Sequence, residues 1–142
     1  MEISDIPFVQ HSGVVNLKEN VLMLEYQDER SNHLQTIHAG ALYTLAESQS
    51  GLFLSYRFPA FEGSVVPLLR EGSMKYKKPV KDYVYAVADA SEDTLKVFER
   101  IFLKKGKGSI KVKVLLKNED DEVCAVGTFN WFVQKRGKLT NR

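Results

Sequence analysis

The residue whose type and setting are best suited to chemistry is Glu47. It lies near the middle of the most apolar helical stretch in the chain, and Glu29 is the only other acidic residue between Asp28 and Glu62. Burying an unpaired carboxylate is costly, so such a group must find a partner, take up a proton or face a wet cleft. Apolar surroundings raise a carboxyl pKa and so improve its fit to proton transfer near neutral pH. At the start of the same helix stand His38, Ala39 and Gly40, where unpaired backbone N–H groups attract negative charge. A proton acceptor and an oxyanion site are two parts that thioester hydrolysis requires. The plainer reading of Glu47 is a solvated glutamate on the outer side of an amphipathic helix, and composition alone favours it.

The remaining reactive types are sparse. His11, His33 and His38 have no metal-ligand spacing with cysteine or acids, so neither a metal nor another cofactor is expected. The one cysteine, Cys124, falls in an apolar run as a buried thiol; it rules out an internal disulfide framework and suits a reducing, cytoplasmic setting. With 20 Lys+Arg against 18 Asp+Glu, the chain lacks the basic excess of a nucleic-acid binder. No window approaches the ~18 consecutive apolar residues of a membrane span. Residues 1–10 carry Glu2 and Asp5 without an apolar core, unlike a signal peptide.

The elements that must position Glu47 follow from periodicity. Gly13–Leu17 and Val21–Tyr26 read as a hairpin around Lys18–Asn20, and Asp28–Thr36 as a loop. A helix runs from about Ile37 to about Tyr56, ended by Pro59 and Gly63. Its wheel puts Ala41, Leu42, Leu45, Gln49, Leu52, Phe53 and Tyr56 on one face. Gly40, Tyr43, Thr44, Glu47, Ser50, Gly51 and Leu54 fall on the other. Val65–Tyr76 is a long strand with Leu68, Gly72, Met74 and Tyr76 on one parity, and Pro67 marks it as an edge or entry position. Tyr83–Ala90 is another strand. Glu92–Lys105 repeats Leu95, Phe98 and Phe102 at helical spacing before Gly106, with a strand over Leu95–Phe98 as the alternative. Ile110–Leu116 alternates, and Val123–Val133 returns with Ala125, Gly127, Phe129, Trp131 and Val133 on one face. Residues 1–142 thus read as one α+β domain in which an antiparallel sheet wraps a long central helix and a short second helix precedes the last two strands.

The segment from Asn32 through His38-Ala39-Gly40-Ala41 to Thr44-Leu45-Ala46-Glu47 resembles the signature of hotdog-fold acyl-CoA thioesterases, in particular the phenylacetyl-CoA thioesterase-like branch. That branch places an Asn six residues before a His-Gly-Gly and an acidic residue nine after the His. Asn32, His38 and Glu47 keep both intervals, and the element order from Gly13 to Val133 is that of a hotdog domain. The resemblance implies an acyl-CoA thioesterase in which Glu47 is general base or nucleophile. It further implies that the Ala39 N–H, with Gly40 beside it, holds the oxyanion, that Asn32 orients water or substrate and that His38 positions the helix start. It also implies a homodimer, or a dimer of dimers, with the site built between protomers.

Two departures and one rival accompany that reading. Relatives can carry a strand hydroxyl near the thioester where this chain has Leu69, so Ser73 is the substitute, with Tyr43 and Thr44 beside Glu47 on the helix. The Glu92–Lys105 helix is longer than the simplest relatives need and is expected to reshape the acyl pocket or the oligomer. CoA phosphates require cations at the cleft mouth, for which Arg57, Arg70, Lys75, Lys77 and Lys78 are candidates ahead of Lys104–Lys107; the plain alternative for each is a solvated strand edge. The rival function is a non-catalytic hotdog module that binds acyl-CoA. Phe53, Phe58, Phe61, Tyr43 and Tyr76 suit an aryl or a medium-chain pocket equally.

Overall fold

The computed structural model describes residues 2–137. Before the hairpin the chain forms a 3-10 turn, Ile3–Asp5, and a short helix α1, Pro7–His11, opened by Pro7. These elements are too short to show a hydrophobic period, which is why sequence does not announce them. The hairpin is β1, Val15–Lys18, and β2, Val21–Glu25, with Asn20 at φ 62° in the turn. Then come α2 (Ala39–Arg57), β3 (Val65–Tyr76), β4 (Tyr83–Asp89), α3 (Glu92–Lys105), β5 (Lys107–Asn118) and β6 (Val123–Lys135). Six strands make one sheet in the order β1-β2-β4-β5-β6-β3, and every pairing is antiparallel.

Helix α3 is specified at both ends. The Ser91 side chain accepts from the Thr94 N–H at 3.1 Å, acids fill the first turn and Lys104 and Lys105 the last. Gly106 then takes φ 73°, a left-handed cap that costs glycine little. Leu95, Phe98 and Phe102 are buried, so the strand alternative for this segment is excluded.

The inward faces of β2, β4, β5 and β6 close on α2. Leu22, Val84, Ala86, Val112, Val114, Leu116 and Phe129 are all essentially inaccessible, as is Leu45 from the helix. Each such large side chain contributes roughly 1.5–3 kcal/mol of burial. One polar side chain joins this layer. Gln49, 1% exposed, accepts from the Leu22 N–H and donates to the Asn20 carbonyl, each at 2.8 Å, tying the helix to the hairpin turn.

Two expectations need correction. The helix is not divided into a core face and an outer one: Thr44, Ser48, Ser50 and Leu54 are buried beside Leu42, Leu45 and Phe53. The sheet takes one side of it, while the first turn and α1 contact it as well. In β3 the parity also changes midway. The register with β6 shifts between Leu69 and Glu71, so a bulge at Arg70 puts Leu69, not Leu68, on the face of Gly72, Met74 and Tyr76. Leu68 is left 53% exposed. Pro67 fits its place, because β3 lies at the end of the sheet and pairs only with β6.

Candidate active site

The loop before α2 is built by Asn32. Its Oδ1 accepts from the N–H groups of Leu34 and Thr36 at 2.9 and 3.0 Å, and its Nδ2 donates to Thr36 Oγ1 at 2.7 Å. The Asn32 N–H reaches the Thr36 carbonyl at 2.9 Å, so the loop closes on itself around this one side chain. Asn32 therefore holds the approach to the helix, and only the second hydrogen of its amide is free to meet anything else.

His38 is the N-cap. It has extended backbone, and its Nδ1 accepts from the Gly40 N–H at 2.8 Å, which places the proton of the neutral ring on Nε2. The Ala41 and Leu42 N–H groups both turn to the His38 carbonyl, at 3.0 and 3.1 Å. Gly40 is thus already spoken for, a correction to its expected share in an oxyanion site. Among the described residues the Ala39 N–H alone in this first turn has no partner. It is exposed and points along the positive end of a 19-residue helix.

Glu47 stands two turns further along, half-buried, with its carboxyl pushed above the ordinary value of 4.5 by desolvation. No ion pair among the described residues reaches it. Its stripe of the helix faces β3 and β6. On one side of it, Tyr43 packs edge-on to Phe129 at 5.4 Å, and a side chain at Gly72 would collide with the Tyr43 hydroxyl. On the other side, Trp131 donates its indole N–H to Ser50 Oγ at 2.8 Å and lies against Gly51. Tyr76, at the end of β3, donates its hydroxyl to the Ala39 carbonyl at 3.2 Å. Burial raises that phenol's pKa, and the Tyr43 phenol nearby adds to the effect. Tyr43 and Glu47 thus lie on the stripe of α2 that faces β3 and β6, and Tyr76 of β3 reaches the helix start beside the Ala39 N–H.

Other expected residues lie elsewhere or are engaged. Thr44 returns its hydroxyl to the Gly40 carbonyl at 3.0 Å. Ser73 pairs with Thr128 on the outer face of the sheet, where it lines a shallow depression with Glu71, Lys111 and Asn130. Alternation turns Ser73 away from Glu47, so it does not substitute for the missing hydroxyl within one chain. Arg70 is also outside, its guanidinium 4.0 Å above the Phe132 ring, and Lys75 shares the parity of Ser73. Arg57 pairs loosely with Glu92 at 3.8 Å. Lys78 pairs with Glu122 at 2.7 Å, which raises the ammonium pKa and lowers that of the carboxyl. Lys77 and Lys78 follow Tyr76 directly, so they are the predicted cations at the helix-start end of the sheet. The role of Tyr76 at the helix start was not legible, because the bond joins residues 37 apart.

A six-stranded antiparallel sheet packed on one long helix is the hotdog architecture. The chain belongs to the family described as "Domain of unknown function (DUF4442)", whose pattern matches residues 11–133. No curated protein matches it significantly in sequence. Among solved structures it is similar to a Pseudomonas aeruginosa protein of unknown function described as a probable thioesterase: 24% identity, 94% of this chain and 91% of that one covered, TM-score 0.77. A Bacillus halodurans protein solved with CoA is similar at 21% identity, with 93% and 85% covered and a TM-score of 0.67. A mutant of the phenylacetic acid degradation protein PaaI from Thermus thermophilus matches at 21% identity, 89% and 97% covered, TM-score 0.61. At these identities the likeness establishes the hotdog fold. No helix among the described residues is long and apolar enough to cross a membrane.

Proposed function

We propose that this protein is an acyl-CoA thioesterase in which Glu47 handles the proton and the Ala39 N–H receives the oxyanion. The observation that carries the reading is a half-buried carboxylate, its pKa raised by burial, on the helix whose first N–H is also open; neither has a partner among the described residues. As a base, Glu47 takes a proton from water while the water oxygen bonds to the thioester carbon. The carbonyl electron pair moves onto oxygen, beside the Ala39 N–H and the helix's positive end. Collapse breaks the carbon–sulfur bond, and the thiolate of CoA leaves with the proton from Glu47. Direct attack by the carboxylate, through an anhydride that water then opens, uses the same groups.

Eight residues separate Ala39 from Glu47, which is about 12 Å along a helix. That separation favours a carbonyl held at one copy's Ala39 N–H and attacked from the side of the other copy's Glu47. The site is therefore completed by a second copy, whose helix start lies opposite Glu47. The free edge of β3 is the surface that brings this about, since a 12-residue strand with one unpaired edge calls for a partner. The opposite edge, β1, is only four residues long and fully exposed, which suits an open end.

Thiol release measured across short, medium, long and aryl acyl-CoA substrates tests the activity. Hydrolysis of at least one class is expected. Tight binding without turnover of any of them would instead assign the protein to the non-catalytic acyl-CoA binders.

A further inference from the structure

We infer that the second copy pairs along β3 in one register, with Ser73 on the two-fold axis and Glu71 of each copy opposite Lys75 of the other; this rests on the two-copy site above. A shared site requires both α2 helices on the same side of the joined sheet, so the axis runs perpendicular to that sheet. Residues directly opposite each other in an antiparallel pair point to the same face. One β3 residue must therefore face its own counterpart, because an odd offset would set an inward side chain against an outward one.

Three observations choose that residue. With Ala39 of one copy facing Glu47 of the other, the axis is level with Tyr43, midway between them along α2. The Tyr43 hydroxyl lies over Gly72, where a β-carbon would collide with it, so the axis crosses β3 close to Gly72. The bulge at Arg70 narrows the choice, since a bulge interrupts a ladder. Regular pairing with β6 runs from Glu71 to Tyr76, and an axis at Glu71 or Gly72 would draw Arg70 into the new ladder. An axis at Ser73 pairs Glu71 through Lys75, wholly within the regular stretch.

Charge decides what remains. Glu71, Ser73 and Lys75 share the outer face and are exposed, and no ion pair among the described residues engages Glu71 or Lys75. An axis at Glu71 would set the two glutamates against each other. Axes at Gly72 and Met74 would set serine against Glu71 and Lys75 respectively. Ser73 on the axis sets opposite charges face to face, at two places. Exposed ion pairs add little affinity, so these select the register while the strand backbones supply the hold. On the inner face the same register brings Met74 of the second copy opposite Gly72, beside the hydroxyl of Tyr43. Tyr43 of one copy and Met74 of the other thus meet between the two sites.

Introduced cysteines test the register, because Cys124 is 1% exposed and stays out of reach. Under mild oxidation Ser73→Cys should cross-link to its own counterpart. Glu71→Cys and Lys75→Cys alone should not, since each would lie about 14 Å from its counterpart. The double variant Glu71→Cys/Lys75→Cys should cross-link again. Glu71→Lys should weaken dimerisation about tenfold in sedimentation, and adding Lys75→Glu should restore it. A self-cross-link of Glu71→Cys, no cross-link in Ser73→Cys and the double variant alike, or dimerisation indifferent to the charge reversal would overturn the register. Turnover judges the thioesterase reading separately. A Ser73→Cys cross-link in a protein that hydrolyses no thioester sustains the register and removes the activity; an active enzyme cross-linked through Glu71→Cys does the reverse.

Discussion

Substituting proline for Ala39 separates catalysis from folding unusually well. Ala39 is the first residue of α2, the position at which proline is favoured, because its fixed φ suits the helix and its absent N–H would be unpaired in any case. The residue before it, His38, already has the extended backbone that a following proline demands, at φ −61° and ψ 139°. The Ala39 N–H has no partner within the described fold, so its removal breaks no internal hydrogen bond. The His38 cap on Gly40 and the two bonds to the His38 carbonyl remain available. Stability should change by no more than about 1 kcal/mol. If that N–H holds the oxyanion, its loss should raise the barrier by roughly 3–4 kcal/mol, a fall in kcat of about 10²–10³. Urea denaturation and steady-state kinetics on the preferred acyl-CoA give the two numbers. A stable Ala39→Pro enzyme with kcat within threefold of wild type would refute the oxyanion role and leave His38 as a cap alone.

Three further outcomes follow from the same geometry. Burial raises the Glu47 pKa, so the native state holds its proton more tightly than the unfolded chain, and stability falls as pH rises from about 4.5 through the folded value. Glu47→Gln should therefore be more stable than wild type at pH 8 and lose that advantage below pH 4, as read by denaturation at both; a constant difference would contradict the burial. At Gly72 a β-carbon would meet the Tyr43 hydroxyl and lie 2.9 Å from Phe129 Cδ1. Gly72→Ala should thus cost about 1–3 kcal/mol, part of it restored by adding Tyr43→Phe; no restoration would place the strain elsewhere. Light scattering at micromolar concentration should give a dimer or larger, and a monomer alone would exclude a site completed across β3.

Much of the architecture was legible because periodicity reports burial directly. The alternation of Ile110, Val112, Val114 and Leu116, and of Ala125 through Val133, marks the inward faces of β5 and β6 correctly. Ser91 and Gly106 fix the ends of α3 by local chemistry alone. What could not be read is whatever depends on register or on distant contacts. The bulge at Arg70 reverses parity within β3, exchanging Leu68 for Leu69 on the inward face, and a bulge has no side-chain period. Arg70 is misplaced for the same reason, whereas Ser73 lies on the face opposite Gly72 and Met74 by plain alternation and is singled out by its hydroxyl alone. The site divides likewise. His38 caps the helix and Glu47 is half-buried on it, positions that the helix read from sequence already gave them. The commitment of Asn32 to its own loop, and of Gly40 to the His38 ring, emerge only once the backbone closes.

The central claim is that a desolvated carboxylate on α2 moves the proton in thioester hydrolysis. Its most direct test is kcat of Glu47→Gln against wild type on whichever acyl-CoA turns over best, with folding verified by circular dichroism. Loss of a general base predicts a fall of about 10²–10⁴. A folded Glu47→Gln protein with turnover within threefold of wild type would contradict it.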